Sequence, residues 1–240
     1  MLTGLLIVMK IGIMQPYFFP YIGYWQLVDA VDIFVVYDDV NYIKNGWINR
    51  NKILVNGSEH YVTLPLQNMS PFKKINEIYV TDNIFAKNKL LKTIKQNYRK
   101  AKYFEQIMPM IESTVCKQGN NLSNIVVNSI NEVCSYLGIT TKIVLSSFLD
   151  KKKETTAQET IISLVKSLGG DFYYNAIGGK SLYDKEAFLK KGISLSFIKT
   201  MQIYYKQFNN FFVPNLSIMD VLMFNSPLEI SNMLKCYELE

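Results

Sequence analysis

The hydrophobic and polar positions of this 240-residue chain change period several times, and each change predicts an element. Lys10 to Pro16 is a short apolar run of strand length. Tyr21 to Ala30 follows a Pro-bounded turn with helical spacing, and Ile33 to Val40 is a second strand-like run that finishes on Asp38-Asp39. The three together predict a βαβ opening. Further on, Leu122, Ile125, Val126, Ile130, Val133 and Leu137 recur at helical spacing and stop at Gly138, after which the β-branched run Lys142 to Phe148 predicts a strand. Thr156 and Glu159 make a capping-box pair ahead of Ile161, Leu164, Val165 and Leu168; Gly169-Gly170 ends that helix and Phe172 to Ala176 follows as a strand. Ile193 to Ile198 is one more strand, preceded by a short helix that Asp184 can cap. Near the end, Ser217 and Asp220 predict a cap pair, and Ser226-Pro227 predicts the start of a last helix.

Strands alternating with helices predict an α/β fold, with a mainly parallel sheet, right-handed crossovers and helices on both faces. The rhythm breaks between Asn41 and Gln118. There, Ile53-Leu54-Val55 and Tyr61-Val62-Thr63-Leu64 flank Asn56-Gly57, which suits a type I′ hairpin turn. Ala86 to Tyr103 is amphipathic, with Leu90, Leu91, Ile94 and Tyr98 on one face and Lys92, Lys95, Arg99 and Lys102 on another. The expected organisation is a single α/β domain over residues 1–240, with an inserted β-hairpin and helical segment at about 41–118.

Composition narrows the function classes. Hydrophobic residues make up 49% and charged residues 19%, the balance of a folded chain. No apolar run reaches the roughly 18 residues of a spanning helix, so membrane insertion is not expected. Met1 to Met9 is apolar but has neither a basic leading segment nor a small-residue cleavage site, so no signal peptide is read there, and Met9 serves equally well as a start. Cys116, Cys134 and Cys236 are too few and too far apart for a disulfide framework or a CxxC pair, which predicts a reducing cytoplasm. His60 is the only histidine, so neither a multi-histidine zinc site nor a histidine triad is expected, and haem is not expected either. The formal net charge is +6, but only Arg50 and Arg99 are arginines. The lysine stripe of the amphipathic helix reads as a solvated face, and nucleic acid is not an expected partner.

Three clusters could carry chemistry. Gln15-Pro-Tyr-Phe-Phe-Pro-Tyr-Ile-Gly-Tyr-Trp-Gln-Leu-Val28 sits where the first strand hands over to the first helix, the place where open α/β sheets bind anions. Gly23 lets backbone approach such a guest and Pro16 and Pro20 stiffen the turn; the other reading is a buried aromatic turn. Asp38-Asp39 could hold Mg2+ through one carboxylate while the other meets an amine or a ribose hydroxyl, or could simply begin a turn. Lys44, Trp47, Asn49, Arg50 and Lys52 bring cation, amide and indole together within nine residues, a mixture that suits a diphosphate-sugar. Gly179-Lys180-Ser181 is not a Walker A loop, because the position five before Gly179 is Tyr174.

Met14-Gln-Pro-Tyr-Phe-Phe-Pro-Tyr-Ile-Gly-Tyr24, Tyr37-Asp-Asp-Val-Asn-Tyr42, Gly46-Trp-Ile-Asn-Arg-Asn51, Gly178-Gly-Lys-Ser-Leu-Tyr183 and Leu216-Ser-Ile-Met-Asp-Val-Leu222 resemble the WbqC-like protein family, found among genes for O-antigen and related surface polysaccharides. A weaker similarity links Phe19-Pro-Tyr-Ile-Gly-Tyr24 to the HIGH signature of nucleotidylyltransferases and other adenylating enzymes, with Tyr21 and Tyr24 where those enzymes hold histidines. That resemblance implies a HUP/Rossmann-like sheet. A phenol stays neutral at pH 7 and can position a phosphate, but cannot shuttle a proton as imidazole does.

What the resemblances imply is a cytoplasmic transferase of O-antigen precursor synthesis. It acylates the amino group of a nucleotide-linked amino sugar with glycine or a similar amino acid, from an activated donor or by adenylation with ATP and Mg2+. Tyr21, Tyr24, Asp38, Asp39 and Lys180 are then the candidate catalytic residues, Asp38 and Asp39 doubling as metal ligands. Gln15, Pro16, Tyr17, Gly23, Lys44, Trp47, Asn49, Arg50, Gly178, Gly179 and Ser181 are the candidate nucleotide and substrate contacts. The competing class is a non-catalytic nucleotide-sugar binding subunit of a polysaccharide pathway.

Overall fold

The computed structural model describes residues 8–117, 119, 121–150, 155–208 and 211–240. Most of the apolar start, and Gln118 at the far bound of the expected insertion, lie outside the described residues. In chain order the elements are β1 (Lys10–Met14), α1 (Ile22–Asp29), β2 (Ile33–Val36), β3 (Arg50–Val55), β4 (Ser58–Thr63), β5 (Leu66–Gln67), β6 (Tyr79–Val80), α2 (Ile84–Tyr98) and α3 (Phe104–Cys116). They continue with α4 (Leu122–Leu137), β7 (Lys142–Leu145), α5 (Ala157–Ser167), β8 (Phe172–Ala176), α6 (Lys185–Leu189), β9 (Ser194–Thr200), α7 (Ile218–Phe224), α8 (Pro227–Leu234) and β10 (Tyr237–Leu239).

The central sheet has the order β10-β9-β8-β1-β2-β7. Every neighbouring pair in it is parallel except β10 with β9. From β1 the chain moves to β2 and β7 on one side, then to β8 and β9 on the other, so the strand order reverses between β1 and β8. Loops at the carboxyl ends of these two strands diverge and leave a crevice.

Alternation along the strands divides the core into two layers. Ile11, Ile13, Val35 and Tyr173 face Ile161, Leu164 and Val165 of α5 and Phe188 of α6. Phe34, Val36 and Tyr174 belong to the larger layer with α1, α4 and α8. Helix α1 is buried from Ile22 to Val28, and Gln26 within that span donates its amide to the Met233 and Cys236 carbonyls. The segment after β2 adds to the same layer: Ile53, Leu54, Leu90, Ile94 and Ile107 share its cluster with Phe34.

Several expected boundaries move, each for a local reason. β1 ends at Met14 rather than Pro16, since proline has no N–H for the ladder. β2 ends at Val36, because Asp38 turns inward to the end of β7. Lys142 to Phe148 is a four-residue strand followed by a 3-10 turn, Ser146–Phe148. The amphipathic helix stops at Tyr98, whose hydroxyl is fixed on both sides, and α3 follows with Pro109 inside it. Ser217 caps α7 as expected, but Asp220 is not its partner in a cap; its carboxylate accepts hydrogen bonds from Tyr98, Tyr205 and Gln207 instead. Ser226 with Glu229 adds another capping box, while the capping box at Thr156, the helix start at Ser226-Pro227 and the left-handed Gly138 stand as the pattern predicts. So does the Asn56-Gly57 turn, with φ of 50° and 78°.

Candidate active site

A cavity of about 800 Å³ opens at the reversal of strand order. The ends of β1 and β8 supply Met14, Gln15, Asn175 and Ala176, and Tyr37 joins from beyond β2, its N–H held by the Met14 carbonyl at 2.8 Å. Tyr17, Pro20 and Tyr21 enter from the turn before α1, and Tyr24 from its first turn. From β3 and the loop ahead of it come Trp47, Asn51 and Lys52, while Gly178, Gly179, Leu182 and Tyr183 close the opposite side from the 3-10 turn Ile177–Leu182 and the residue after it.

The turn before α1 is clamped rather than loosely packed. Phe19 adopts a φ of 43°, a conformation that costs a bulky residue energy and needs its surroundings to enforce it. Asn51 supplies the enforcement by donating its amide to the Phe18 and Phe19 carbonyls at 3.2 and 2.9 Å. Ser217 donates its hydroxyl to the same Phe19 carbonyl at 2.6 Å, and Trp25 donates its indole N–H to the Pro20 carbonyl at 3.0 Å. Two distant segments, at Asn51 and Ser217, together with Trp25 of the adjoining helix, therefore fix this one corner of the cavity.

Gly23 is needed for close approach, and the neighbour is protein. A Cβ there would stand 2.3 Å from the Tyr21 hydroxyl and 2.6 Å from Thr200 Oγ1, so the Tyr21 ring fills the space over the start of α1. Gly179 works similarly against Asn175, whose Nδ2 would be 2.7 Å from an added Cβ. Tyr24 is buried, its hydroxyl donating to the Gln15 carbonyl at 3.2 Å, and burial lifts its pKa well above the usual phenol value. Burial likewise raises Tyr17, Tyr37 and Tyr183, so each keeps its proton as a neutral O–H at physiological pH.

The structure brings together at the cavity Gln15, Tyr17, Tyr21, Tyr24, Trp47, Gly178 and Gly179 from the expected set; Gly23 lies beneath Tyr21. The remaining candidates are elsewhere. Pro16 is buried under the turn. Asn49 is buried between the Tyr42 hydroxyl and the Leu64 carbonyl, and Lys44 is exposed outside the lining. Arg50 donates Nε–H to the Gly46 carbonyl at 3.2 Å and an Nη2 hydrogen to the Asn45 carbonyl. Lys180 pairs with Glu240 at 2.7 Å, and Ser181 is exposed beside it.

Asp38, 1% exposed, has both carboxylate oxygens engaged: Oδ1 by the Ser147 N–H at 3.0 Å and Oδ2 by the Ser147 hydroxyl at 2.9 Å. The Ser146 hydroxyl bonds to the Asp39 carboxylate. Asp38 thus does not offer Mg2+ an open coordination position, and among the described residues no group of three or more metal-ligating side chains occurs. Neither aspartate lines the cavity.

Asn51, Lys52, Asn175, Asn215, Tyr37 and Tyr183 are the polar lining residues from outside the sets of candidate catalytic and contact residues. Lys52 belongs to the Lys44–Lys52 cluster of cation, amide and indole read from the sequence, and Asn51 lies inside its span. Asn175 and Asn215 carry no sequence signal of their own, since one ends a strand and the other lies in a loop.

Residues 15–232 match the sequence profile of the WbqC-like protein family. The chain belongs to that family. It is also 30% identical over 229 residues to Rv1507c, described as an uncharacterized protein, of Mycobacterium tuberculosis (strain ATCC 25618 / H37Rv), covering 94% of this chain and 97% of the relative. No solved structure matches. The family match extends from the turn before α1 into α8, so it includes nearly the whole cavity wall of this WbqC-like chain. Among the described residues no helix is long and apolar enough to cross a membrane.

Proposed function

We propose that the cavity binds a nucleotide-linked amino sugar of O-antigen or related polysaccharide synthesis and presents its amino group for acylation by glycine or a similar amino acid. The observation that carries this reading is the lining: tyrosines and a tryptophan interleaved with Gln15, Asn51, Asn175 and Asn215, and Lys52 as the one charged side chain among the described lining residues. Aromatic faces suit pyranose and base rings, neutral amides suit ring hydroxyls, and a single cation suits a diphosphate. Support for a nucleotide ligand also comes from the sheet: its parallel strands, numbered in chain order, run 3-2-1-4-5, the order of doubly wound HUP/Rossmann-like folds, with the cavity at the reversal.

The chemistry asked of the protein is positioning. An amine attacks an activated acyl carbon, the leaving group departs with its electron pair, and the amine loses a proton. The neutral hydroxyls of Tyr17, Tyr37 and Tyr183 are donors for the carbonyl oxygen as it gains charge, and Tyr21 is the most exposed phenol at the mouth. ATP with Mg2+ belongs to this proposal only as one source of the activated acyl group. One lysine does not balance a triphosphate and Asp38 is closed to a metal, so no step is assigned through either.

One observation favours a second reading. No carboxylate or histidine is among the described lining residues, as a purely binding subunit would have it. Incubation with glycine and a nucleotide-linked 4-amino-sugar, with and without ATP and Mg2+, followed by mass measurement of the product, decides between them. An ATP-dependent amide supports adenylation. An amide formed from a thioester or aminoacyl carrier without ATP supports transfer from an activated donor. Binding without an amide across a panel of acceptors and donors gives the binding-subunit reading.

A further inference from the structure

The β3–β4 hairpin gives the cavity one rim unlike the rest of its wall. Trp47 is 40% exposed and lines the cavity, and Tyr61, 44% exposed, has its ring centre 6.0 Å away at an interplanar angle of 31°. Tyr61 stands opposite Lys52 in the hairpin register, and the Lys52 ammonium lies 5.4 Å from the Tyr61 ring centre. Two exposed aromatic rings cost the free protein hydration without adding to its core.

Arg50 explains how this rim is held. Its guanidinium carbon lies 4.5 Å from the centre of the Tyr61 ring, while two of its N–H groups bond to the Asn45 and Gly46 carbonyls. The arginine thus joins the turn that carries Trp47 to the strand that carries Tyr61, a fork-and-face geometry that lysine cannot reproduce. That leaves Lys52 as the cation of the cavity wall. Its ammonium is held at 2.8 and 2.7 Å by the two oxygens of Glu59, an exposed pair of the kind that contributes little and exchanges readily for another anion.

We infer that Trp47, Tyr61 and Lys52 form the nucleoside diphosphate subsite of the cleft, with the base against the two rings, the diphosphate on the Lys52 ammonium, and Arg50 as a positioning residue. The inference rests on the nucleotide-sugar reading above and gives that substrate a direction: base at the hairpin rim, amino sugar inward against Tyr17, Tyr24 and Asn175. A π-face and a neighbouring cation are the two features that recognise a base and its phosphates irrespective of the sugar attached. Glu59 is the internal anion that the diphosphate displaces.

Trp25 is fully buried, so ligand-dependent tryptophan fluorescence reports on Trp47. Titrating UDP or dTDP into the full chain should quench that signal, and Trp47→Phe should abolish the change while calorimetry still detects binding. Lys52→Met should weaken binding about tenfold or more and Tyr61→Leu by about three- to tenfold, with the urea midpoint of each within error of the parent. Glu59→Gln should tighten binding severalfold, a gain that a merely structural role for the pair does not produce. If Lys52→Met and Tyr61→Leu bind both the free diphosphate and the nucleotide sugar like the parent, the subsite is overturned while the amino-sugar reading stands. If the parent binds neither ligand by calorimetry, both are overturned. Weaker or unchanged binding by Glu59→Gln overturns the displacement.

Discussion

The two walls of the cleft are built on opposite principles. The wall made by the turn before α1 is tied through its backbone, with a left-handed Phe19 and carbonyls bonded to Asn51, Ser217, Trp25 and Tyr24, and Tyr21 is the one exposed phenol it contributes. The hairpin wall exposes Trp47 and Tyr61 and holds its one lining cation in an exposed ion pair. The first wall fixes the shape of the cavity, and the second leaves surface free for a ligand. The difference teaches that stability and recognition are separable here: substitutions on the first wall should unfold the site, and substitutions on the second should change only what it binds.

The largest effect expected lies behind both walls. Tyr98 accepts the Leu54 N–H of β3 at 2.8 Å and donates to Asp220 at 2.6 Å, so the buried Asp220 anchors the turn end of the hairpin through one hydroxyl. Asp220→Ala leaves Tyr98, Tyr205 and Gln207 without their acceptor and should cost about 3 to 5 kcal/mol, read as a loss in urea unfolding free energy. Burial raises the Asp220 pKa, so folding favours its protonated form. Its stabilising contribution is complete below the unfolded value of about 3.9 and declines as pH rises through the folded value. The stability of the parent relative to Asp220→Asn should therefore fall with rising pH across that window. A difference that grows with pH would contradict the burial argument.

A smaller loss is expected from the first wall itself. Asn51→Ala removes the donor of two buried carbonyls and should cost about 2 kcal/mol. It should also reduce ligand affinity, because Phe19 would relax from its strained φ and shift Tyr21. An unchanged melting temperature would mean that water replaces Asn51, and the contrast between the walls would be blunted.

The smallest stability effect belongs to the second wall. Arg50→Lys should change unfolding free energy by less than about 1 kcal/mol, since its bonds to Asn45 and Gly46 are at the surface or only partly buried. It should still weaken nucleoside diphosphate binding and alter the Trp47 emission maximum, because the turn loses its fork. Equal losses of stability in Arg50→Lys and Asn51→Ala would erase the distinction between the two walls.

Local rules carried much of the architecture. Periodicity placed the βαβ opening, α4 and its left-handed Gly138, the capping box of α5, the start of α8, and the Asn56-Gly57 hairpin, because each depends on residues within one or two turns of chain. Periodicity did not reach α3 or β10. The first has Pro109 within it, and the second is a three-residue edge strand held by β9. In the site, the aromatic turn and the indole–cation cluster were legible as chemistry, but their division of labour was not. Arg50 and Lys52 are two residues apart with the same charge; only the chain's return through Asn45 and Gly46 engages the arginine, while Lys52 lines the cavity.

The sequence by itself therefore determined the α/β alternation, the place of the first strand-to-helix turn and the family, all of which depend on local pattern or on motifs read in order. Tertiary structure decided which carboxylates are buried and saturated, that Gly23 makes room for Tyr21, and that Asn51, Asn175 and Asn215 meet at one cavity. Those outcomes depend on contacts between segments far apart in the chain, such as Asp38 with Ser147, or Asn51 with Phe19. Hydrogen-bond saturation at such contacts is fixed by where the strands end and which segments pack beside them, and no local period records it.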